Sequence, residues 1–261
     1  SNYVREASNW FTKNRLILNE QKTHCILFKT KLSNVVTPTY VNLNSVVLNV
    51  SSSTKFLGLH IDENLDWCNH IQDLNKKLNS VHHSIRVLKR YLDLPAIKTV
   101  YFANFQSILK FGIIFWGRCK DIQAIFVAQK SCVRTMLNFK YGQSLRGHFR
   151  KHKLLTVIGL YVFEILMYVF KNMYLFLGLR LHSQRTLALR FPSHRLTIFE
   201  KGCFYSCIVI FNKLPHHIQS VPNFCSFRRL VLNYLICIEP YDLNEYLDYS
   251  CLLYTSDAAD D

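Results

Sequence analysis

Lys55-Phe56-Leu57-Gly58-Leu59-His60-Ile61-Asp62 is an apolar run of strand length with a bare glycine at its centre. Asn64-Leu65-Asp66-Trp67 follow, and then a long amphipathic stretch begins. The run separates two patterns. Before it, short apolar segments alternate with turn residues; after it, apolar residues recur at helical spacing almost to the end. The chain therefore reads as α+β and mainly α, a small β-containing N-terminal part followed by helical regions. A glycine inside a strand marks close backbone approach by a ligand or another chain. Gly58 is thus a first functional candidate, with ordinary sheet core as the competing reading.

From Cys68 to Leu92 the residues Ile71, Leu74, Leu78, Val81, Ile85, Leu88 and Leu92 recur at intervals of three and four, as a helix with one buried face requires. At about 1.5 Å per residue such a helix runs roughly 37 Å, long enough to lie along most of a turn of a nucleic-acid duplex. Its opposite face carries Asn69, Gln72, Lys76, Asn79, His83, Arg86 and Arg90, with no carboxylate in the row. A face that merely meets water usually mixes charge signs. Lys76, Asn79, His83, Arg86 and Arg90 are accordingly candidate contacts to a polyanion, and a plain solvated helix is the alternative.

Upstream, Val4, Ala7, Trp10, Phe11 and Asn14 fall at helical spacing, and a turn through Leu16 to Thr23 leads to Cys25-Ile26-Leu27-Phe28, a short apolar run of strand length. Tyr40 to Val50 alternates as a hairpin with Asn44-Ser45 at its turn. Downstream, Pro95 opens a helix at a position where its missing N–H costs nothing, with Val100, Tyr101, Asn104, Phe105 and Ile108 on its buried side. Lys110-Phe-Gly-Ile-Ile-Phe-Trp-Gly117 follows, and Asp121 caps a helix that carries Gln129 and Lys130. Leu154 to Phe170 is long and apolar, but a carboxylate at the centre of a bilayer span costs roughly 2.5–3.5 kcal/mol. Glu164 therefore argues against a transmembrane helix and for an ion pair within a helical bundle. Arg180 to Arg195 reads as a basic loop, Gly202 to Asn212 and Phe224 to Ile236 as helices, with Asn212-Lys-Leu-Pro215 between them.

Cys251 to Asp261 resembles a translated sequencing adapter and is set aside from fold and function. Without its three aspartates the formal charge rises from +15 to +18. High positive charge on a chain that is 49% hydrophobic and 14% aromatic points to a packed protein with polyanionic partners, nucleic acid or anionic lipid. The eight remaining cysteines lack a disulfide framework and read as buried thiols of a reducing compartment. Cys203 and Cys207, with His216, His217 and Cys225, match no zinc spacing, so no metal ligand is assigned.

Several of these stretches resemble the reverse transcriptases of jockey-like, non-LTR retrotransposons. The resemblance rests on the helix ending at Trp10, Leu18-Asn-x-x-Lys22-Thr23, the run Lys55 to Asp62, Phe111-Gly-x-x-x-Trp116-Gly117 and Gln129-Lys130, continues at Leu160-Tyr-x-x-Glu164 and Asn212-x-Leu-Pro215, and spans about residues 4 to 238. It implies that residues 1–62 are the end of the palm, 63–139 a helical thumb, 140–240 a C-terminal helical region and 241–250 a tail. Phe56, Leu57, Gly58 and Leu59 would be the primer grip. The long helix would track an RNA template and DNA primer duplex. Lys22 would protonate the pyrophosphate leaving group, a role suited to an ammonium that donates charge and proton together. The family's carboxylates, which hold Mg2+ to activate the primer hydroxyl, would be encoded upstream of Ser1. The expectation is thus an RNA-directed DNA polymerase fragment that binds no cofactor itself, is inactive alone, needs the N-terminal part of the polymerase as partner, meets no membrane, and works inside the cell in nucleus and cytoplasm. A stand-alone basic nucleic-acid-binding module and an untranslated transposon remnant are the alternatives.

Overall fold

A computed structural model describes residues 2–16, 19, 23–31, 38–43, 46–179, 187–195, 197–200 and 202–256. Lys22 and residues 180–186 of the basic loop lie outside them. The fold is α+β and mainly α, with two compact units, Ser1–His70 and Ile71–Asp261.

The first unit opens with α1 (Asn2–Lys13), which ends where the Asn14 side-chain amide donates to the Trp10 carbonyl at 2.8 Å and Arg15 turns left-handed at φ 54°. Strands β1 (Tyr40–Leu43) and β2 (Val46–Asn49) pair antiparallel, Tyr40 opposite Asn49, as their alternation predicts. The apolar run Cys25 to Phe28 does not form a strand and contributes only a bridge from Cys25 to Val50. The boundary run also differs from a single strand. It belongs to a hairpin of β3 (Ser53–Phe56) and β4 (Leu59–Asp62), with Phe56 opposite Leu59. The two residues between them, Leu57 at φ 47° and Gly58 at φ 85°, make the turn, so Gly58 stands at a turn and not inside a strand. Among the described residues each sheet has two strands.

Helix α2 (Cys68–Leu88) starts at the edge of the first unit and runs into the second. In the second unit Asp93 caps α3 (Leu94–Val100), its carboxylate accepting from the Ala96 amide at 3.0 Å, with Pro95 in the first turn. A π-helical stretch, Tyr101–Gln106, then leads into α4 (Ser107–Lys110). The reason lies in spacing: Ile97, Tyr101, Phe105 and Leu109 are all buried and each is four residues from the next. At 3.6 residues per turn each such step overshoots by about 40°. The wider turn cancels that drift and keeps all four on the core side, while Asn104, which helical periodicity places inside, is exposed.

Next come α5 (Ile113–Trp116) and α6 (Ile122–Leu137). Asp121 occupies the N-cap position of α6, but its side chain bonds none of the helix's free amides. A short α7 (His148–Lys151) precedes α8 (Val157–Lys171), the centre of the unit, with eleven of its fifteen residues buried and α4, α5, α6 and the later helices Cys203–Asn212 and Phe224–Ile238 packed around it. A helix apolar on all sides is a core helix here because neighbours cover it all round. Among the described residues no single helix is long and apolar enough to cross a membrane. Glu164 finds the expected base, Lys110, at 3.0 Å. Where α5 meets α8, a Cβ on Gly117 would fall 2.2 Å from the Tyr161 ring, so the helices touch over bare backbone.

A 3-10 segment, Met173–Leu179, is followed by α9 (Thr197–Glu200), α10 (Cys203–Asn212), α11 (His216–Gln219), α12 (Phe224–Ile238) and α13 (Leu243–Ser256). Asn223 caps α12 through bonds from the Cys225 and Ser226 amides. The stretch read as a tail after Pro240 is helical, and Tyr246 is fully buried with its hydroxyl on the Ile210 carbonyl at 2.9 Å. Of the eight cysteines before Cys251, Cys132 and Cys207 are buried, whereas Cys225 and Cys237 are exposed, which corrects the reading of them all as core thiols.

Candidate nucleic-acid interface

Helix α2 turns its two faces as the periodicity requires as far as Ile85; beyond it Leu88 and Leu92, expected on the buried face, are exposed, and the helix ends at Leu88, not Leu92. Ile71, Leu74, Leu78 and Ile85 are buried, while Asn69, Gln72, Lys76, Asn79, His83, Arg86 and Arg90 are exposed. Arg90 lies in the closing turn, where the Arg90 amide reaches the Val87 carbonyl and that of Leu92 the Leu88 carbonyl. From Gln72 to Arg90 the row covers about 27 Å at helical rise, against a duplex that presents a charge about every 1.7 Å of its axis. Lys76 is the weakest member. Its ammonium sits 3.9 Å from Asp73, one turn back and just off the row, a surface pairing worth at most about 1 kcal/mol.

The two adjacent histidines divide their labour by face. His83 is exposed, whereas His82 is buried with its Nε2 2.7 Å from the Thr135 hydroxyl of α6. Burial, then the charge of Arg86 and the neighbouring His83, hold His82 below the usual imidazole pKa of 6.5, so the ring that fastens α2 to α6 stays neutral. Lys89 is a second fastening: its ammonium donates to the Thr135 carbonyl and to the Asn138 side chain at the end of α6, and burial lowers its pKa. Neither tie follows from periodicity, which reports a face and not a partner. Lys77 is exposed beside Lys76 and extends the row. Its position one residue off the strict spacing hides it from a three-and-four count.

The four residues at the boundary run form the tip of the β3–β4 hairpin. Phe56 and Leu57 are 59% and 76% exposed, so the tip presents apolar surface outward. A non-glycine residue in the left-handed region costs roughly 1–2 kcal/mol, which Leu57 bears at φ 47°. Of the Leu18-Asn-x-x-Lys22-Thr23 motif, the described ends meet, the Thr23 hydroxyl donating to the Asn19 carbonyl at 2.7 Å.

The acidic residues after the hairpin are occupied by the fold. The Asp62 carboxylate accepts from the amides of Asn64, Asp66 and Trp67, Glu63 pairs with Lys29 at 3.2 Å, and Asp66 pairs with Lys31 at 2.8 Å. Among the described residues no group of three or more His, Cys, Asp or Glu is placed to hold a metal ion. These residues do not fit the paired magnesium ions of a polymerase.

Neither a protein-family model nor a solved structure matches the chain. Over 146 residues it is 28% identical to the probable RNA-directed DNA polymerase from transposon BS of Drosophila melanogaster, an alignment covering 53% of this chain and 16% of that protein. The chain is therefore related in sequence to a transposon reverse transcriptase over about half of its own length, and spans only a small part of that polymerase.

Proposed function

We propose that this chain is the part of a non-LTR retrotransposon RNA-directed DNA polymerase that grips the template-primer duplex. The carrying observation is the exposed face of α2, a run of cations and hydrogen-bond donors about 27 Å long over a buried apolar stripe. Lys76, Arg86 and Arg90 contact phosphates, Asn79 and His83 donate between them, and such contacts are independent of sequence. Phe56, Leu57, Gly58 and Leu59 at the hairpin tip hold the primer end, with the two exposed apolar side chains lying on the sugar and base of the terminal nucleotide. Lys22 assists the leaving group in the intact enzyme, whose N-terminal part supplies the carboxylates for Mg2+. The chain alone binds nucleic acid without polymerising, and the intact enzyme works inside the cell, in nucleus and cytoplasm, away from membranes.

The test is a salt titration of binding to an RNA–DNA duplex. Replacing Lys76, Arg86 and Arg90 by Ala should flatten log K against log salt by about 0.9 for each lost phosphate contact. An unchanged slope would return this face to solvent and remove the reading.

A further inference from the structure

Between Asp121 and Glu164 the chain contains no Asp or Glu, yet it carries Lys130, Arg134, Lys140, Arg146, Arg150, Lys151 and Lys153. Part of this charge has internal work: Arg146 pairs with Glu245 at 2.8 Å, and Lys130 lies 4.5 Å over the Phe126 ring. Among the described residues Lys140, Arg150, Lys151 and Lys153 enter no ion pair, and all four are exposed.

These cations belong to one continuous surface that starts at the end of α2. Lys89 holds Asn138; the next ring, Phe139, packs on His148 of α7 at 4.5 Å; and Lys98 of α3 donates to the His152 carbonyl at 2.8 Å. Burial first, then Lys98, Lys151 and His148, lower the pKa of His152, as expected in a positive field. The turn that leads in is held by its own hydrogen bonds. The Gln143 side chain accepts from the Lys140 amide at 2.7 Å, Arg134 donates to the Gln143 carbonyl at 3.0 Å, and Gly142 supplies φ 84°. On this pinned turn the Tyr141 ring is 100% exposed, and Tyr91, beside Arg90, is 80% exposed. Tyr91 lies two residues from Lys89 and Tyr141 three from its partner Asn138, which keeps the two backbones within roughly 7 and 11 Å of that tie.

An aromatic ring largely open to solvent, next to a cation, offers a stacking face. A base inside a duplex has both faces covered by its neighbours; an unpaired base has one to give. We propose that the corner made by Arg90-Tyr91 and Lys140-Tyr141, continued by Lys151 and Lys153, binds an unpaired strand of nucleic acid, phosphates on the cations and bases on the two tyrosine rings. This rests on the reading of α2 as a duplex face and extends it: the strand leaves the duplex where α2 ends.

The full chain is titrated with single-stranded oligouridine and oligothymidine and with a blunt RNA–DNA duplex, with inorganic polyphosphate as competitor. Exchanging both Tyr91 and Tyr141 for Ala should weaken single-strand binding by roughly thirtyfold or more and leave the duplex unaffected, while Tyr→Phe at both positions keeps binding. Lys140→Ala, Lys151→Ala and Lys153→Gly together should flatten the single-strand salt slope by about 0.7 per lost contact. Lys153 sits at φ 55°, so Gly there removes charge without adding strain. Equal losses on duplex and single strand would overturn the proposal by merging this surface with the duplex face. So would an unchanged affinity of the Ala pair combined with full displacement by polyphosphate, the mark of a bare polyanion patch. The α2 variants on the duplex report on the underlying reading separately.

Discussion

The two units are held together by different physics. In residues 1–70 Leu48 is the buried apolar side chain among the described residues, while Trp10, Phe28, Val47, Phe56 and Leu57 are exposed. Two-stranded sheets have no second layer to bury a face against, and such hairpins are marginal by themselves; local turns and backbone bonds set their shape. In residues 71–261 burial dominates, from Leu78 and Ile85 through Trp116 and Tyr161 to Tyr246. A substitution in the first unit should therefore act locally, and one in the second should be felt throughout that unit.

The largest effect is expected at Gln129. Its amide donates to the Tyr101 hydroxyl and the Leu155 carbonyl, both at 2.9 Å, and its oxygen accepts from the Val157 amide at 2.7 Å, all buried. Gln129→Leu strands three groups at a cost of about 1–3 kcal/mol each, so a loss of at least about 3 kcal/mol in urea unfolding is expected. Hydrogen exchange in the β3–β4 hairpin should not change. Faster exchange there would break the contrast between the units.

A middle-sized effect concerns acid. Unfolded, His82 takes a proton near pH 6.5; folded, its lowered pKa delays that. The unfolded state thus binds more protons in the interval, and stability falls as pH drops from about 6.5 through the folded value. His82→Gln keeps a polar partner for Thr135 and should flatten the pH dependence of the urea midpoint. An equally steep decline in the variant would assign the acid sensitivity elsewhere.

The smallest effect sharpens the other side. Leu57→Asn suits a left-handed turn position before Gly58, so the hairpin should gain up to about 1 kcal/mol. Slower amide exchange at Phe56 and Leu59 would register it, with the urea midpoint unmoved. Primer-end binding should fall with the loss of the apolar tip; retained binding would deny Leu57 a part in the grip.

The helices legible in the sequence are those whose apolar residues run long enough to require burial in a helix, as with α2, α10 and α12. That Glu164 would find a base was legible, because a carboxylate in an apolar run needs a partner; that the base is Lys110 was not. The Leu57-Gly58 turn was not, because a leucine in the left-handed region announces no turn, and the whole run reads as one strand. Helix α13 lacks a strong apolar face, and its docking depends on Tyr246 finding Ile210, far away in sequence. At the candidate interface the exposed row of α2 was readable to the residue. The ties from His82 and Lys89 to α6 were not, since pairing across 46 residues or more leaves no local trace.

The π-helical stretch Tyr101–Gln106 has a bearing on how chain length varies at this place. Buried positions four apart, at Ile97, Tyr101, Phe105 and Leu109, suit the wide turn. Remove one exposed residue, such as Ala103, and the intervals become four, three and four, the rhythm of an ordinary helix. A chain one residue shorter would then present the same side to the core and carry Lys110 to the same place opposite Glu164. The same deletion inside α8 would swing everything after it by about 100°. An aligned relative with a single-position gap between Tyr101 and Gln106 has lost nothing of the architecture, and a gap within Val157–Lys171 marks a different one.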